Sequence, residues 1–200
     1  MMRVNVALKP PRDVTEQLVQ LAEDLLPAAH SVFRTGDHHS IPHLTLYMGV
    51  FRPQDVEIVL RRIASVPPGA ATVSCAAQAI SVTAGGYLEV GYAKSAELGR
   101  AQLIVAGAVR DLAQPVAMPG HVTPTDDQRR NLTRYRYELV GDSFRPHVTL
   151  GRLAADASVA LHDRPLAALS FVPDGFVVCE ADEHGAARRV LLQTSLAGQH

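Results

Sequence analysis

The sequence predicts an α+β fold, and three observations carry that expectation. Runs rich in Val, Ile, Thr and Tyr recur along the chain, as strands do. Several follow one another directly through turns, as in "ISVTAGGYLEV" and "FVVCEADEHGAARRVLL". Strands joined by hairpins make antiparallel sheet, whereas a doubly wound parallel sheet needs a helix between successive strands. The third observation is a duplication. "SIPHLTLYMG" at 40–49 and "SFRPHVTLGR" at 143–152 both read Pro-His-aliphatic-Thr-Leu, each in the setting of a half-buried strand.

The first element, "RVNVALKP", is a strand stopped by Pro10-Pro11. Asp13 with Glu16 three residues later predicts a capping box, and Val14, Leu18, Leu21 and Leu25 predict a helix ending near Pro27. The polar stretch "HSVFRTGDHHS" leads to the first His-Thr strand. Pro53 suits the first turn of a second helix, one face of which is Val56, Val59, Leu60 and Ile63. Residues 71–83 and 86–92 read as a hairpin about Gly85-Gly86. Leu98, Ala101, Val105, Ala108, Val109 and Leu112 define a third helix. From Gln114 to Gly141 no apolar period is visible, and an irregular loop is expected. The second His-Thr strand, a short helix over 155–162 and two strands turning at Glu183 to Gly185 complete the chain. Each half thus holds a His-Thr strand, a helix and further strands, a pseudo-repeat without sequence identity beyond the motif.

Two hundred residues suffice for one ordinary domain with a real core. An apolar fraction of 47% and a charged fraction of 20% are those of a soluble globular protein. A net charge of -1 argues against broad nonspecific adhesion to nucleic acid. Cys75 and Cys179 lie in apolar runs without CxxC spacing and read as small buried hydrophobes, a disulfide between them staying open. Neither a signal peptide nor a membrane span is supported, so a cytoplasmic protein is expected.

Strand alternation gives the duplicated motif its meaning. His43 and Thr45 share one face while Leu44 and Leu46 point into a core; His147 and Thr149 do the same opposite Val148 and Leu150. If the halves face each other, two imidazoles and two hydroxyls line one cleft. That set suits phosphodiester chemistry without a metal. One neutral histidine takes a proton from the attacking water or hydroxyl, and the other, protonated, gives one to the departing oxygen. The hydroxyls can donate to nonbridging phosphate oxygens. Singly, each histidine would more often be a structural residue; jointly, with the flanking Pro and Leu repeated, they point to catalysis or phosphate binding.

His43-Leu44-Thr45-Leu46 and His147-Val148-Thr149-Leu150 resemble the paired HxTx signatures of the two-histidine (2H) phosphoesterase superfamily, in particular its bacterial 2′-5′ RNA ligase/RNA 2′,3′-cyclic phosphodiesterase branch. The resemblance implies one domain over 1–200 with two pseudosymmetric lobes of mainly antiparallel sheet and flanking helices around a central cleft. It implies His43 and His147 as the acid/base pair and Thr45 and Thr149 as phosphate ligands. The implied substrate is an RNA end or nucleotide bearing a 2′,3′-cyclic or 2′-5′ phosphodiester, hydrolysed or reversibly ligated with no metal or other cofactor. A monomer is expected. A noncatalytic nucleotide- or RNA-binding module using the same cleft is the alternative.

Other residues are weaker candidates. Tyr47 follows the first motif; Arg152 follows the second, three beyond Thr149, and alternation turns it to the opposite face unless the strand bends. Arg129, Arg130, Arg134, Tyr135, Arg136 and Tyr137 form a basic-aromatic run that could bind an RNA tail by charge and stacking, Arg130, Arg134 and Tyr135 being the candidates singled out. A third match, His121-Val122-Thr123-Pro124, has proline in place of leucine and turn-like surroundings. Asp37, His38 and His39 invite a metal-site reading, but adjacent residues in an extended segment point to opposite faces, and a polar loop beside the cleft is the expectation.

Overall fold

Eight strands and four α-helices are found among the residues that the computed structural model describes, namely 1–36, 40–116, 123–161 and 165–195. The strands are β1 (Met2–Lys9), β2 (Ser31–Arg34), β3 (Leu44–Phe51), β4 (Ala77–Val82), β5 (Tyr87–Tyr92), β6 (His147–Leu153), β7 (Gly175–Ala181) and β8 (Ala187–Gln193). The helices are α1 (Arg12–Leu25), α2 (Pro53–Ala64), α3 (Ala96–Val109) and α4 (Asp126–Tyr135). One curled, antiparallel sheet runs β4-β5-β6-β3-β1-β7-β8, with β2 on a free stretch of β6. The α+β expectation is met.

The two His-Thr strands are neighbours at the middle of this sheet. They touch through a single antiparallel bridge, Leu44 to Val148, and then part. Beyond the bridge β2 takes the vacated edge of β6, pairing Arg34 with Gly151 and Phe33 with Arg152. Gly151 permits this, because a Cβ there would stand 2.6 Å from both the Phe33 carbonyl oxygen and Leu26 Cδ2. At the far end of β3, Val50 bridges Gln114 in the corresponding way.

Both strands carry a β-bulge just after their threonine. Against β1, the register of β3 slips so that Ala7 faces Thr45 and Val6 faces Tyr47. Against β5, β6 slips so that Glu89 faces Thr149 and Leu88 faces Gly151. Leu46 and Leu150 are the extra residues, and past each of them the side chains change faces. The Thr35 amide and hydroxyl hold the second bulge, donating to the carbonyls of Leu150 and Thr149, each at 2.8 Å.

Leu44, Leu46, Val148 and Leu150 are fully buried on the helix-covered face with Val4, Val6 and Leu8 of β1. Helix α1 lies against β6 and α3 against β3, so each half covers the other's His-Thr strand. Burial of one such Leu or Val removes enough apolar surface to favour folding by ~1.5–3 kcal/mol. The opposite face of the sheet is left open at the seam, where the histidines stand.

Several elements differ from the sequence expectation. Helix α4 lies inside the expected loop; its residues are almost all polar, but Thr125 and Gln128 close a full capping box and Asp126 and Asp127 follow in the first turn. The start of α1 is Pro11, not Asp13, and Glu16 pairs with Arg12 at 2.8 Å instead of capping. Ser31–Arg34 is a strand, supported by β6 across the sheet and not by its own pattern. No helix forms over 155–161, where a turn at Ala154–Ala157 leads into irregular chain; 162–164 lie outside the described residues. The hairpin strand expected over 71–83 begins only at Ala77. Cys75 and Cys179 are both buried and free, and burial pushes each thiol up to about 12.

Candidate active site

The proline before each histidine shapes the site. Residues before proline are held extended, so Ile41 and Arg145 present their carbonyls back toward the ring two residues on. His43 Nδ1 lies 2.8 Å from the Ile41 oxygen and His147 Nδ1 lies 2.8 Å from the Arg145 oxygen. A carbonyl can only accept, so each Nδ1 carries the proton and, in the neutral ring, each Nε2 is left as the acceptor. The same local device serves both halves.

His43, Thr45, His147 and Thr149 all line one cavity of about 230 Å³. Extending the Leu44–Val148 register by one residue sets His43 across from Thr149 and Thr45 across from His147. The neighbours supplied by the flanking strands differ in charge. On β1, Asn5 (1% exposed) donates Nδ2 to His43 Nε2 at 3.0 Å and to Thr45 Oγ1 at 2.9 Å. Thr45 therefore accepts from Asn5 and keeps its own hydroxyl proton for the cleft. On β5, Glu89 (5% exposed) sets Oε1 3.5 Å from His147 Nε2, and its Oε2 accepts from Arg145 Nη2 at 3.1 Å. Burial, reinforced by repulsion from His147, holds His43 below the ordinary imidazole range, the bond to Ile41 opposing it.

A second cavity of about 270 Å³ adjoins the first, the two sharing Met48, Tyr87, Tyr137, Glu138, His184 and Gly185 as walls. Arg3 and Arg136 lie at its far side. Burial raises the Glu138 carboxyl above its usual range, with Arg3 opposing. Arg136 caps α4 in a left-handed conformation, φ 60°, which turns the following residues into the cleft. Gln102 of α3 ties this segment down, donating to the Leu139 carbonyl and accepting from the Gly141 amide.

The weaker candidates fall elsewhere. Tyr47, which follows the first motif, is carried by the Leu46 bulge to the core, where it is 0% exposed and its hydroxyl donates to the Tyr135 carbonyl at 2.6 Å. The equivalent bulge turns Arg152 toward the open face. It reaches the rim, bonded to Gly85 O and His184 Nδ1 at 3.2 Å each and lying over the Tyr87 ring, but it does not line the cavity. Arg130 pairs with Asp127 on exposed α4. Arg134 and Arg110 cover the Tyr135 ring. None of Arg130, Arg134 and Tyr135 lines either cavity; within that stretch Leu132, Arg136 and Tyr137 do, followed by Glu138 and Leu139. Asp37, His38, His39 and His121 lie outside the described residues. Among those described, no three His, Cys, Asp or Glu side chains come together as metal ligands, and no helix is long and apolar enough to cross a membrane.

Asn5, Glu89, Arg145 and His184 belong to the site and were not singled out by sequence. Asn5 and Glu89 are polar residues flanked on both sides by apolar ones, in "VNVAL" and "YLEVGY", which is how an inward-facing polar group reads. Arg145 stands two residues before His147, just ahead of the second motif.

Comparison with known structures gives the same architecture. A structure described as a phosphoesterase matches 98% of this chain and 99% of its own at a TM-score of 0.64 and 16% identity. TT0787 of Thermus thermophilus matches over the full length of both chains at 0.64 and 20%. E. coli LigT complexed with 3′-AMP matches 98% of each chain at 0.59 and 18%. The chain shares the fold of these phosphoesterase and LigT structures. No protein-family model matches the chain, and no curated protein matches its sequence. It is this fold that sets the two His-Thr strands side by side.

Proposed function

We propose that the chain is a metal-independent phosphodiesterase that hydrolyses, or reversibly ligates, a 2′,3′-cyclic or 2′-5′ phosphodiester in an RNA end or nucleotide. The observation that carries this reading is the pair of carbonyl-anchored imidazoles, each turning Nε2 into one cavity beside a threonine hydroxyl. One imidazole accepts the proton of the attacking oxygen and the other supplies the proton of the departing one. The threonine hydroxyls hold the nonbridging oxygens. Nucleotide substrates are supported by the structures of LigT complexed with 3′-AMP and with ATP. The adjoining cavity, with the Tyr87 and Tyr137 rings and two arginines, gives room for a base and further chain.

The test is turnover of 2′,3′-cyclic nucleotides and 2′-5′ dinucleotides by the wild-type chain in excess chelator. Undiminished turnover of at least one of them is expected. Binding without turnover would convert the reading to the noncatalytic module, and activity abolished by chelator would require a metal.

A further inference from the structure

From β1, Asn5 touches both members of the first motif. Its Nδ2 donates to His43 Nε2 at 3.0 Å and to Thr45 Oγ1 at 2.9 Å, while its Oδ1 is buried with no hydrogen-bond partner among the described residues. We propose that Asn5 is a positioning residue that couples these two groups: its amide turns over when His43 gains a proton, and the turn withdraws the Thr45 hydroxyl from the phosphate. This rests on the phosphodiesterase reading and deepens it by adding a release step to that site.

Hydrogen-bonding capacity gives the amide two settings. His43 Nδ1 donates its proton to the Ile41 carbonyl, so the neutral ring presents a lone pair at Nε2 and needs a donor there. The NH2 end supplies one hydrogen to Nε2 and its second to a lone pair of Thr45. The Thr45 hydroxyl proton then stays free for a nonbridging oxygen. A protonated ring carries N–H at Nε2 as well, and an NH2 group facing it would set donor against donor. A half-turn of the amide exchanges Nδ2 for Oδ1 in nearly the same volume, and Oδ1 accepts a charge-assisted bond from Nε2. The second lone pair of that oxygen faces Thr45, whose hydroxyl now donates to it. One end of the amide is unpaired in either setting, so His43 and Thr45 decide between the two.

Burial holds His43 below the ordinary imidazole range, so the ring is neutral at rest and the NH2 setting is the resting one. The titratable groups that share its cleft are His147 and Arg145 of β6 and its approach, Glu89 and Tyr87 of β5, Tyr137 and Glu138 after α4, and His184 of the β7–β8 turn. Cys179, the β7 residue paired with Asn5, is a thiol pushed up to about 12 and brings no charge. The second motif lacks the coupling, because Glu89 beside His147 has no N–H to give. When His43 takes the proton of an attacking oxygen, the amide turns, Thr45 lets go of the phosphate and the product is freed. Loss of that proton to water restores the resting setting.

Sulfate is the probe for this coupling, since it is a tetrahedral anion whose charge stays constant while His43 titrates. The His43 midpoint is read from its ring resonance, identified by its loss in His43→Ala. Above that midpoint Thr45→Val should weaken sulfate binding about tenfold, as loss of one hydrogen bond to an anion does, and below it less than about twofold. In an Asn5→Leu chain the loss should be about tenfold on both sides, because nothing then competes for the hydroxyl. A merely structural Asn5 would give no such dependence on pH. Should Asn5→Leu not fold, Asn5→Asp serves: a carboxylate only accepts, so it should hold the Thr45 hydroxyl throughout and keep the loss below about twofold on both sides. Three results would each overturn the proposal. They are a Thr45→Val loss that is absent or equal on both sides in the otherwise wild-type chain, an unequal loss that survives the Asn5 substitution, and a His43 ring that takes no proton while the chain is folded. A wild-type chain that turns over no phosphodiester would sink the phosphodiesterase reading instead, and the sulfate affinities would still decide the coupling.

Discussion

Alanine in place of either His43 or His147 is expected to lower turnover of a 2′,3′-cyclic nucleotide by ~10²–10⁴-fold, the usual worth of a positioned acid or base. Binding should change much less, since Thr45, Thr149 and the adjoining cavity remain. The double variant should fall little below the poorer single one, because acid and base act in one step. Loss of the fold is not the expected cause. His147 keeps a partly exposed side chain, and both rings stand at the open seam on the face opposite Leu44, Leu46, Val148 and Leu150. Added imidazole separates the two explanations: it should restore part of the activity of a chain missing an acid or base, and none of one that is misfolded. Single variants retaining activity within threefold of wild type would falsify the two-histidine mechanism.

Valine at Thr45 or Thr149 keeps the volume and removes the hydroxyl. Each is expected to cost ~10²–10³-fold in kcat if the hydroxyl meets charge on the nonbridging oxygens in the transition state. Stability should distinguish them. Thr45 accepts from the buried Asn5 amide, so Thr45→Val leaves a donor unmatched and should cost ~1–3 kcal/mol in denaturant unfolding. The Thr149 hydroxyl has no partner among the described residues, its anchor to Thr35 running through the backbone carbonyl. Thr149→Val should therefore lose activity at nearly unchanged stability. Equal loss of stability in both would place Thr149 in a structural role.

What the sequence made legible follows from what period two can say. It put His43 with Thr45 and His147 with Thr149, because within a strand faces alternate whatever the partner strand does. It could not say that the two strands meet at Leu44 and Val148, since alternation within a strand carries no information about which distant strand lies beside it. Nor could it count past a bulge. Tyr47 entered the core and Arg152 reached the rim because Leu46 and Leu150 each add one residue, and no residue type announces that. Helix α4 was hidden for another reason: a polar helix has no apolar period, and only Thr125 with Gln128 marked it. Asn5 and Glu89 escaped notice as isolated polar residues whose importance lies in which histidine each strand faces.

The central claim is that one phosphorus sits between the two imidazoles. A crystal structure with a nucleoside vanadate, which mimics the five-coordinate phosphorus of in-line displacement, tests it most directly. The account predicts vanadium between His43 Nε2 and His147 Nε2, with Thr45 and Thr149 Oγ1 each ~2.7–3.0 Å from a nonbridging oxygen. Vanadate held by one motif alone, or seated in the adjoining cavity between Arg3 and Arg136, would contradict it.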